Sequence, residues 1–237
     1  MTRPPILILQ PDRARPAAAV ADGLARRGHA TIACLLRSAD DLPGRGLLDR
    51  VGGVVVLDAA SCDAAGHAAV LDWLAECRAR ERPLLGIGRG GELLTRLLGG
   101  TVDADAPVRG WFPLSLRPPA ASTPWLQRLG TSLPHGLLWQ DRSWQPPPGA
   151  VPLLGSAPDA CVAWAARGAL ALRVHIELTA ALYARWLEQW AATPARHGLG
   201  WQDHASLAAA SAAVGAQRVL AEHLLDAWLE PPAAPLP

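Results

Sequence analysis

The sequence contains no lysine, and charged residues make up only 18% of its 237 positions. Its 22 cationic side chains are therefore all arginines; they are scattered along the chain, and the formal net charge is +1. Proteins that bind nucleic acids or anionic membrane surfaces usually carry dense basic patches. The absence of such a patch predicts a small molecule or a protein as the partner, with no nucleic acid and no membrane.

Long apolar runs are also missing from the sequence. No stretch approaches the roughly 18 uncharged apolar residues that a membrane-spanning helix needs. The first apolar run, residues 6–9, is too short for a signal peptide. We therefore expect a cytoplasmic protein.

Cysteine is scarce and follows no recognised spacing. The four cysteines are Cys34, Cys62, Cys77 and Cys161, and no two of them have the CxxC spacing of a zinc or redox motif. Such a pattern favours a reduced environment with free thiols. We expect neither a metal site nor a cofactor.

Phenylalanine and tyrosine occur once each, whereas tryptophan occurs ten times. Four tryptophans fall on predicted helices and are expected in the core: Trp73, Trp186, Trp190 and Trp228. Four others fall in a proline-rich region, where they line either the core or a binding surface: Trp111, Trp125, Trp139 and Trp144.

Short apolar runs alternate with helix-like stretches in the first part of the chain, beginning with residues 6–9, 17–27, 30–36 and 54–57. This rhythm is typical of βαβ units and predicts an α/β fold with a parallel sheet. A chain of 237 residues has the size of one such domain. We therefore predict a single domain over residues 1–237, with a frayed tail at 231–237.

Further along the chain the pattern changes. A helix is predicted between Cys62 and Arg80, and residues 101–158, rich in Pro, Gly and Trp, predict antiparallel strands and loops. Residues 169–176 are again strand-like. Thr179 is expected to cap a helix, and a last helix is predicted over about 205–229. The first of these two helices places three apolar residues on one face: Leu182, Trp186 and Trp190.

The most informative segment is residues 83–94, which read PLLGIGRGGELL. A strand-like run breaks at a glycine-rich turn, and a helix-like run follows from Glu92. In hydrolases built on parallel sheets, such a turn exposes a nucleophilic Ser or Cys beside backbone N–H groups that stabilise an oxyanion. The residue expected at the tip of this turn is Gly88, which has no side chain to attack a substrate.

Three other segments occur in a fixed order with this turn. They are residues 54–60 (VVVLDAA), Trp139-Gln140 followed by PPGA at 147–150, and residues 174–179 (VHIELT). Over nearly the whole chain this order resembles the class I glutamine amidotransferase family, especially the stand-alone members similar to the glutaminase part of GMP synthase. The corresponding family motifs are Gly-Gly-Pro after a strand, Gly-Ile-Cys-x-Gly-x-Gln-Leu-Leu, a Trp-His segment before Leu-Pro-x-Gly-Ala, and Phe-His-x-Glu-x-Thr.

The resemblance implies a flavodoxin-like, doubly wound, mostly parallel sheet with helices on both faces and a small antiparallel excursion. The site is then expected at the carboxyl ends of the strands, where open parallel sheets bind their ligands. In the family a Cys thiolate attacks the amide carbon of glutamine, a His transfers protons and a Glu orients the His. Carried over by position, His175 is the base and Glu177 the orienting residue, while Gly88 stands in place of the nucleophile.

Other family positions are changed as well. Asp58, Ala59 and Ala60 take the place of the Gly-Gly-Pro loop that supplies an oxyanion donor, and a carboxylate there opposes a developing negative charge. Glu92 takes the place of the family Gln, and Gln140 follows Trp139 where the family has His. The residues expected to line the altered pocket are Asp58, Ala59, Arg89, Glu92, Trp139 and Gln140.

The changes predict a catalytically inactive relative that binds a ligand, such as a glutamine-like or γ-glutamyl compound, or regulates a protein partner. One alternative is an active amide or γ-glutamyl hydrolase or amidotransferase. It would use Cys62, Glu92 or an activated water as nucleophile, with His175 as base. A second alternative is an interaction subunit whose pocket is filled by its own side chains.

Overall fold

The computed structural model describes residues 3–58, 64–118, 133–166, 168–192 and 200–229. Ala59, Ala60, Cys62, Trp125 and the tail 231–237 lie outside the described residues, so the predictions that fall on them stay predictions. The strands are β1 (Arg3–Gln10), β2 (His29–Leu35), β3 (Gly53–Val56), β4 (Leu84–Ile87), β5 (Thr101–Leu116), β6 (His135–Gln145), β7 (Val151–Ser156), β8 (Ala163–Ala166) and β9 (Ala169–Leu172). The α-helices are α1 (Ala18–Arg26), α2 (Ala64–Ala79), α3 (Arg89–Leu97), α4 (Ala180–Ala191), α5 (His204–Ala209) and α6 (Ala213–Leu229).

The described strands form one nine-stranded sheet in the order β2-β1-β3-β4-β9-β8-β7-β5-β6. The first five strands of this order pair in parallel, and the last four continue the sheet by antiparallel pairing. The prediction of a mostly parallel sheet with a small antiparallel excursion is therefore right only in part. β9 pairs in parallel with β4 on one side and antiparallel with β8 on the other. The strands that continue from β8 (β7, β5 and β6) also pair antiparallel, so the antiparallel part is nearly half of the sheet.

Helices cover both faces of the parallel half, as predicted. Along β1, Ile6 and Ile8 belong to one core cluster, together with residues of α1 and α6. Leu7 and Leu9 point to the opposite face and belong to a second cluster, with residues of α2 and α3. Because successive side chains of a strand alternate between faces, an unbroken apolar run such as 6–9 is what a strand covered on both sides requires.

The two predicted helices after β9 had different outcomes. The Thr179 side chain accepts a hydrogen bond from the Leu182 N–H at 3.1 Å and begins α4, which confirms the predicted cap. The last helix is not continuous from residue 205 to 229, because a turn at 210–212 divides it into α5 and α6. Asp203 caps α5 with its own side chain, accepting from the Ser206 N–H at 2.7 Å.

The tryptophans assigned to helices are all buried in the core: Trp73, Trp186, Trp190 and Trp228. Of the other group, Trp111 and Trp144 are also buried, whereas Trp139 is half-buried and packs against a third core cluster around α4. None of the helices in the described ranges is long and apolar enough to cross a membrane.

Candidate functional site

The turn between β4 and α3 is as sharp as its glycines suggest. β4 ends at Ile87, α3 begins at Arg89, and Gly88 between them has φ +58° and ψ −122°, a conformation that favours glycine. A Cβ on Gly90 would overlap the carbonyl oxygen of Val56. The glycines therefore let the start of α3 approach the end of β3 closely, at the carboxyl ends of the parallel strands.

Asp58 fills the space in which a side chain at position 88 would begin. A Cβ built on Gly88 would overlap Asp58 Oδ1 and lie 3.1 Å from Asp58 Cγ, and its next neighbour would be His175 Cε1 at 3.2 Å. The Arg89 N–H, at the N-terminus of α3, donates a 2.8 Å hydrogen bond to the same Oδ1. A helix N-terminus attracts anions through its free N–H groups and its dipole. Here the chain itself supplies the anion.

His175 and Glu177, the positions that the family resemblance gives as base and orienting residue, form a buried pair. His175 Nδ1 lies 2.8 Å from Glu177 Oε1, and the two residues are only 1% and 5% exposed. The main chain fixes the histidine, because its N–H donates to the Leu137 carbonyl at 3.0 Å and its carbonyl accepts from Gln217 Nε2 at 2.8 Å. Its Nε2 has no hydrogen-bond partner within the described residues.

The surroundings of His175 favour the protonated ring. Burial alone lowers the pKa of the imidazole, but the charge and hydrogen bond of Glu177 oppose it, with smaller contributions from the Asp58 charge and the Trp139 main chain. Together they raise the pKa of His175 to about 9. The raised pKa favours the imidazolium at neutral pH, and the Nε2 of an imidazolium is a proton donor with no lone pair with which to act as a base.

A group of charged side chains surrounds Glu92, one turn into α3. Burial raises the pKa of the Glu92 carboxyl, whereas the charges of Arg142, Arg173 and Arg89 act to lower it. Asp58 adds to the upward shift because its charge has the same sign. The predicted pocket residues Asp58, Arg89 and Glu92 are thus brought together at the N-terminal end of α3.

Arg173, which no sequence motif singled out, is the buried cation of this group. It is 2% exposed, and its guanidinium lies over the Trp144 ring at 4.1 Å and 3.2 Å from Asp159 Oδ2. It also donates from Nη1 to the carbonyl of Arg142, while its Nη2 finds no partner in the part of the chain that is described. Its position two residues before His175 was the only local signal in the sequence.

Trp139 and Gln140 lie on β6 and reach the site through different contacts. Trp139 packs edge-on against Trp186, at 5.5 Å between ring centroids, and the Trp186 ring in turn lies 5.2 Å from that of His175. Gln140 Nε2 donates to Asp159 Oδ2 at 3.0 Å, and its buried Oε1 has no described partner. Trp139 therefore packs on the side of the site that holds His175, and Gln140 lies on the side that holds Arg173.

The cysteines of the described chain do not offer a substitute nucleophile. Burial raises the pKa of Cys77 to about 12 and that of Cys161 to about 11, and it also raises the pKa of Cys34. A thiol becomes reactive when its pKa is lowered. Within the described ranges, no three His, Cys, Asp or Glu side chains come together as a metal site would require.

Among the solved structures with a similar fold are two that are named glutamine amidotransferases. A glutamine amidotransferase from Methylobacillus flagellatus superposes with a TM-score of 0.82 at 20% identity, covering 96% of this chain and 94% of its own. One from Thermotoga maritima has a TM-score of 0.81 at 17% identity, covering 97% and 99%. A Thermoplasma acidophilum protein proposed to be one of the subunits of GMP synthase has a TM-score of 0.57 at 14% identity, covering 95% and 100%.

These likenesses show a glutamine amidotransferase-like fold, and at such low identity they show the fold alone. No protein-family model matches the sequence, and neither does any curated protein.

Proposed function

We propose that this chain is a glutamine amidotransferase-like protein that has lost glutaminase chemistry and works by binding a ligand or regulating a partner protein. One observation carries the proposal. The space for a nucleophile at position 88 is held by the Asp58 carboxylate, which accepts a hydrogen bond from the Arg89 N–H.

Covalent hydrolysis of an amide needs two things at this turn. A thiolate or hydroxyl must attack the carbonyl carbon, and backbone N–H groups must stabilise the oxyanion that forms. Gly88 supplies no nucleophile. The Arg89 N–H, which follows the nucleophile position and is therefore the expected oxyanion donor, already serves Asp58.

The charge state of His175 supports the same conclusion. In a Cys–His pair the imidazolium is stabilised by the thiolate beside it. Here Glu177 and Asp58 supply the negative charge, and the pKa of His175 is raised to about 9. Both carboxylate charges favour the protonated ring, which suits a structural or ligand-binding role better than proton abstraction.

The charged and polar side chains beside this turn have the composition of a binding site for a charged small molecule. Arg142, Arg173 and Glu92 lie close enough to influence one another electrostatically, and Arg173 Nη2 and Gln140 Oε1 are buried donor and acceptor atoms with no described partner. These groups suit a glutamine-like or γ-glutamyl compound, which carries both a carboxylate and an ammonium group. A protein partner is the other candidate, since the Thermoplasma neighbour is by its name one subunit of an assembly.

Purified protein tests the loss of chemistry directly, by the release of ammonia from glutamine. We expect no rate above that of buffer and no change in the His175→Ala variant. A glutaminase rate that His175→Ala abolishes would overturn the proposal.

Glu92 is the described residue that best supports an enzymatic alternative. Catalytic acids often have a raised pKa, as the Glu92 carboxyl does, although in Glu92 the cause of the shift is burial. Under this alternative the protein hydrolyses an amide or γ-glutamyl compound, and Glu92→Gln abolishes the reaction.

Thiol labelling tests Cys62 as the nucleophile. Fast labelling of Cys62 that a ligand blocks supports it as a nucleophile, whereas slow labelling of all four cysteines supports the inactive protein.

A further inference from the structure

A second buried arginine lies outside the Gly88 turn. Arg109, in the middle of β5, is 2% exposed, and its guanidinium lies 4.0 Å from the ring centroid of Trp201 and 5.4 Å from that of Trp190. Its Nε and Nη1 make no hydrogen bond with any described residue. No carboxylate among the described residues forms an ion pair with it, which distinguishes it from Arg173.

A buried cation without an anion is costly to keep in a folded protein. Burial lowers the pKa of Arg109, and among the described groups only Tyr183 acts in the opposite direction. Tyr183 is not available as a partner, because its hydroxyl donates to the Leu207 carbonyl and accepts from Trp111 Nε1, both at 2.8 Å. The described residues therefore leave Arg109 without a carboxylate partner, and two of its three guanidinium nitrogens without a hydrogen bond.

The unpartnered polar atoms next to Arg109 are donors as well. Trp190 Nε1 and Trp186 Nε1 are buried and have no described partner either. The Trp186 and Trp190 rings lie 5.6 Å apart, and Arg109 lies over Trp190, so the three side chains form one contiguous group. An indole N–H and a guanidinium can only donate. A group of unsatisfied donors is chemically complementary to a ligand rich in acceptor oxygens.

We propose that Arg109, Trp186 and Trp190 form a binding site for a small oxyanion, a carboxylate or a phosphate group. Such an ion neutralises the guanidinium and accepts hydrogen bonds from it and from the indoles. Trp139 and Trp201, which are half-buried, flank the group: Trp139 packs against Trp186 and Trp190, and Trp201 packs against Arg109. The site does not involve Asp58 or Gly88, and it therefore stands independently of the loss of glutaminase chemistry.

Intrinsic tryptophan fluorescence tests the site, because indoles form its wall. Inorganic phosphate and acetate are titrated separately, with sodium chloride keeping the ionic strength constant. We expect a saturable change with at least one of the two ions, and the ion that binds identifies the phosphate or the carboxylate class. A change that is linear in concentration for both ions, or no change, would overturn the proposal and leave ordered water as the partner of these donors.

Variants then locate the binding. Arg109→Gln is expected to weaken it at least tenfold, whereas Arg218→Gln removes one exposed cation on α6 and should leave it unchanged. Equal weakening in both variants would show general charge attraction and contradict the site.

A second pair of variants keeps the test valid if Arg109→Gln does not fold. Trp190→Phe removes one indole N–H from the site, and Trp228→Phe removes another buried, unpartnered indole N–H in a different core cluster. We expect weaker binding of the ion only in Trp190→Phe. Unchanged binding in Trp190→Phe, or the same loss in Trp228→Phe, would contradict the proposal.

Discussion

The Asp58 carboxylate accepts a 2.8 Å hydrogen bond from the Arg89 N–H and overlaps the position of a Cβ on the glycine between β4 and α3. The Asp58 side chain thus fills the space of a side chain at position 88. It also accepts the hydrogen bond of the N–H that would otherwise be free to stabilise an oxyanion. A side chain introduced at position 88 and an oxyanion at the Arg89 N–H would therefore both have to displace the same carboxylate.

The Gly88→Cys variant is expected to have no glutaminase activity. Its Cβ overlaps Asp58 Oδ1, so the carboxylate must move away from the Arg89 N–H or the turn must distort. A backbone at φ +58° and ψ −122° also costs a non-glycine residue on the order of 1–3 kcal/mol. Ammonia release and chemical denaturation measure the two effects.

Gly99→Ala serves as the control for the backbone cost, because Gly99 also has a positive φ, +88°, but its Cβ would meet nothing within 4 Å. We expect Gly88→Cys to lose more stability than Gly99→Ala. Full glutaminase activity from Gly88→Cys alone would show that Asp58 does not block the site.

A double-mutant cycle isolates the contribution of Asp58. In the Asp58→Ala background, Gly88→Ala should lose less unfolding free energy than it does in the wild-type background, because the overlap is gone and only the backbone cost remains. Residues in direct contact commonly couple by about 0.5–3 kcal/mol. Equal losses in the two backgrounds, measured by urea denaturation, would mean that the carboxylate moves aside freely.

Protonation of His175 is expected to stabilise the fold at neutral pH. Its pKa is raised from 6.5 to about 9, so the folded state holds the proton more tightly than the unfolded state does. The stabilisation is complete below about pH 6.5, declines as the pH rises and is lost above about pH 9, with an upper limit of about 3 kcal/mol. NMR titration of the imidazole and denaturation between pH 6 and 10 measure it.

Glu177→Gln is the matched variant for this titration, since it removes the partner charge but keeps the shape of the side chain. We expect the titration midpoint of the His175 ring to move to lower pH and the pH dependence of the unfolding free energy to become weaker. A wild-type ring that is neutral at pH 7.5 would contradict the assignment and restore His175 as a candidate base.

Much of the turn and of the buried pair could be predicted from the sequence because their determinants are local. Gly88 lies between an apolar run and a helical stretch. His175 and Glu177 are two positions apart, although they lie in a turn beyond the end of β9 at Leu172 and not on the strand expected over 169–176. The Thr179 cap is local in the same way. Each of these features depends on residues a few positions apart, where periodicity and turn chemistry are informative.

The residues that were missed owe their roles to pairing between distant segments. Arg173 is buried because its guanidinium meets Trp144 and Asp159, and Arg109 because it meets Trp190 and Trp201. Nothing adjacent to either arginine indicates such burial. The size of the antiparallel half likewise depends on the pairing of β9 with β8. No local sequence pattern distinguishes β9 from a strand that pairs only in parallel.

Ligand binding beside α3 is expected to raise the melting temperature, since a ligand that binds only the folded state stabilises it by about 2.7 kcal/mol at a hundred times its Kd. Glutamine, glutamate and γ-glutamyl compounds are the set to screen. Arg173→Gln should abolish the shift because it removes the buried cation, whereas the Trp190→Phe variant should retain it because Trp190 belongs to the Arg109 site. If no compound shifts the wild-type midpoint, the pocket is filled by its own side chains and the protein acts through a partner surface.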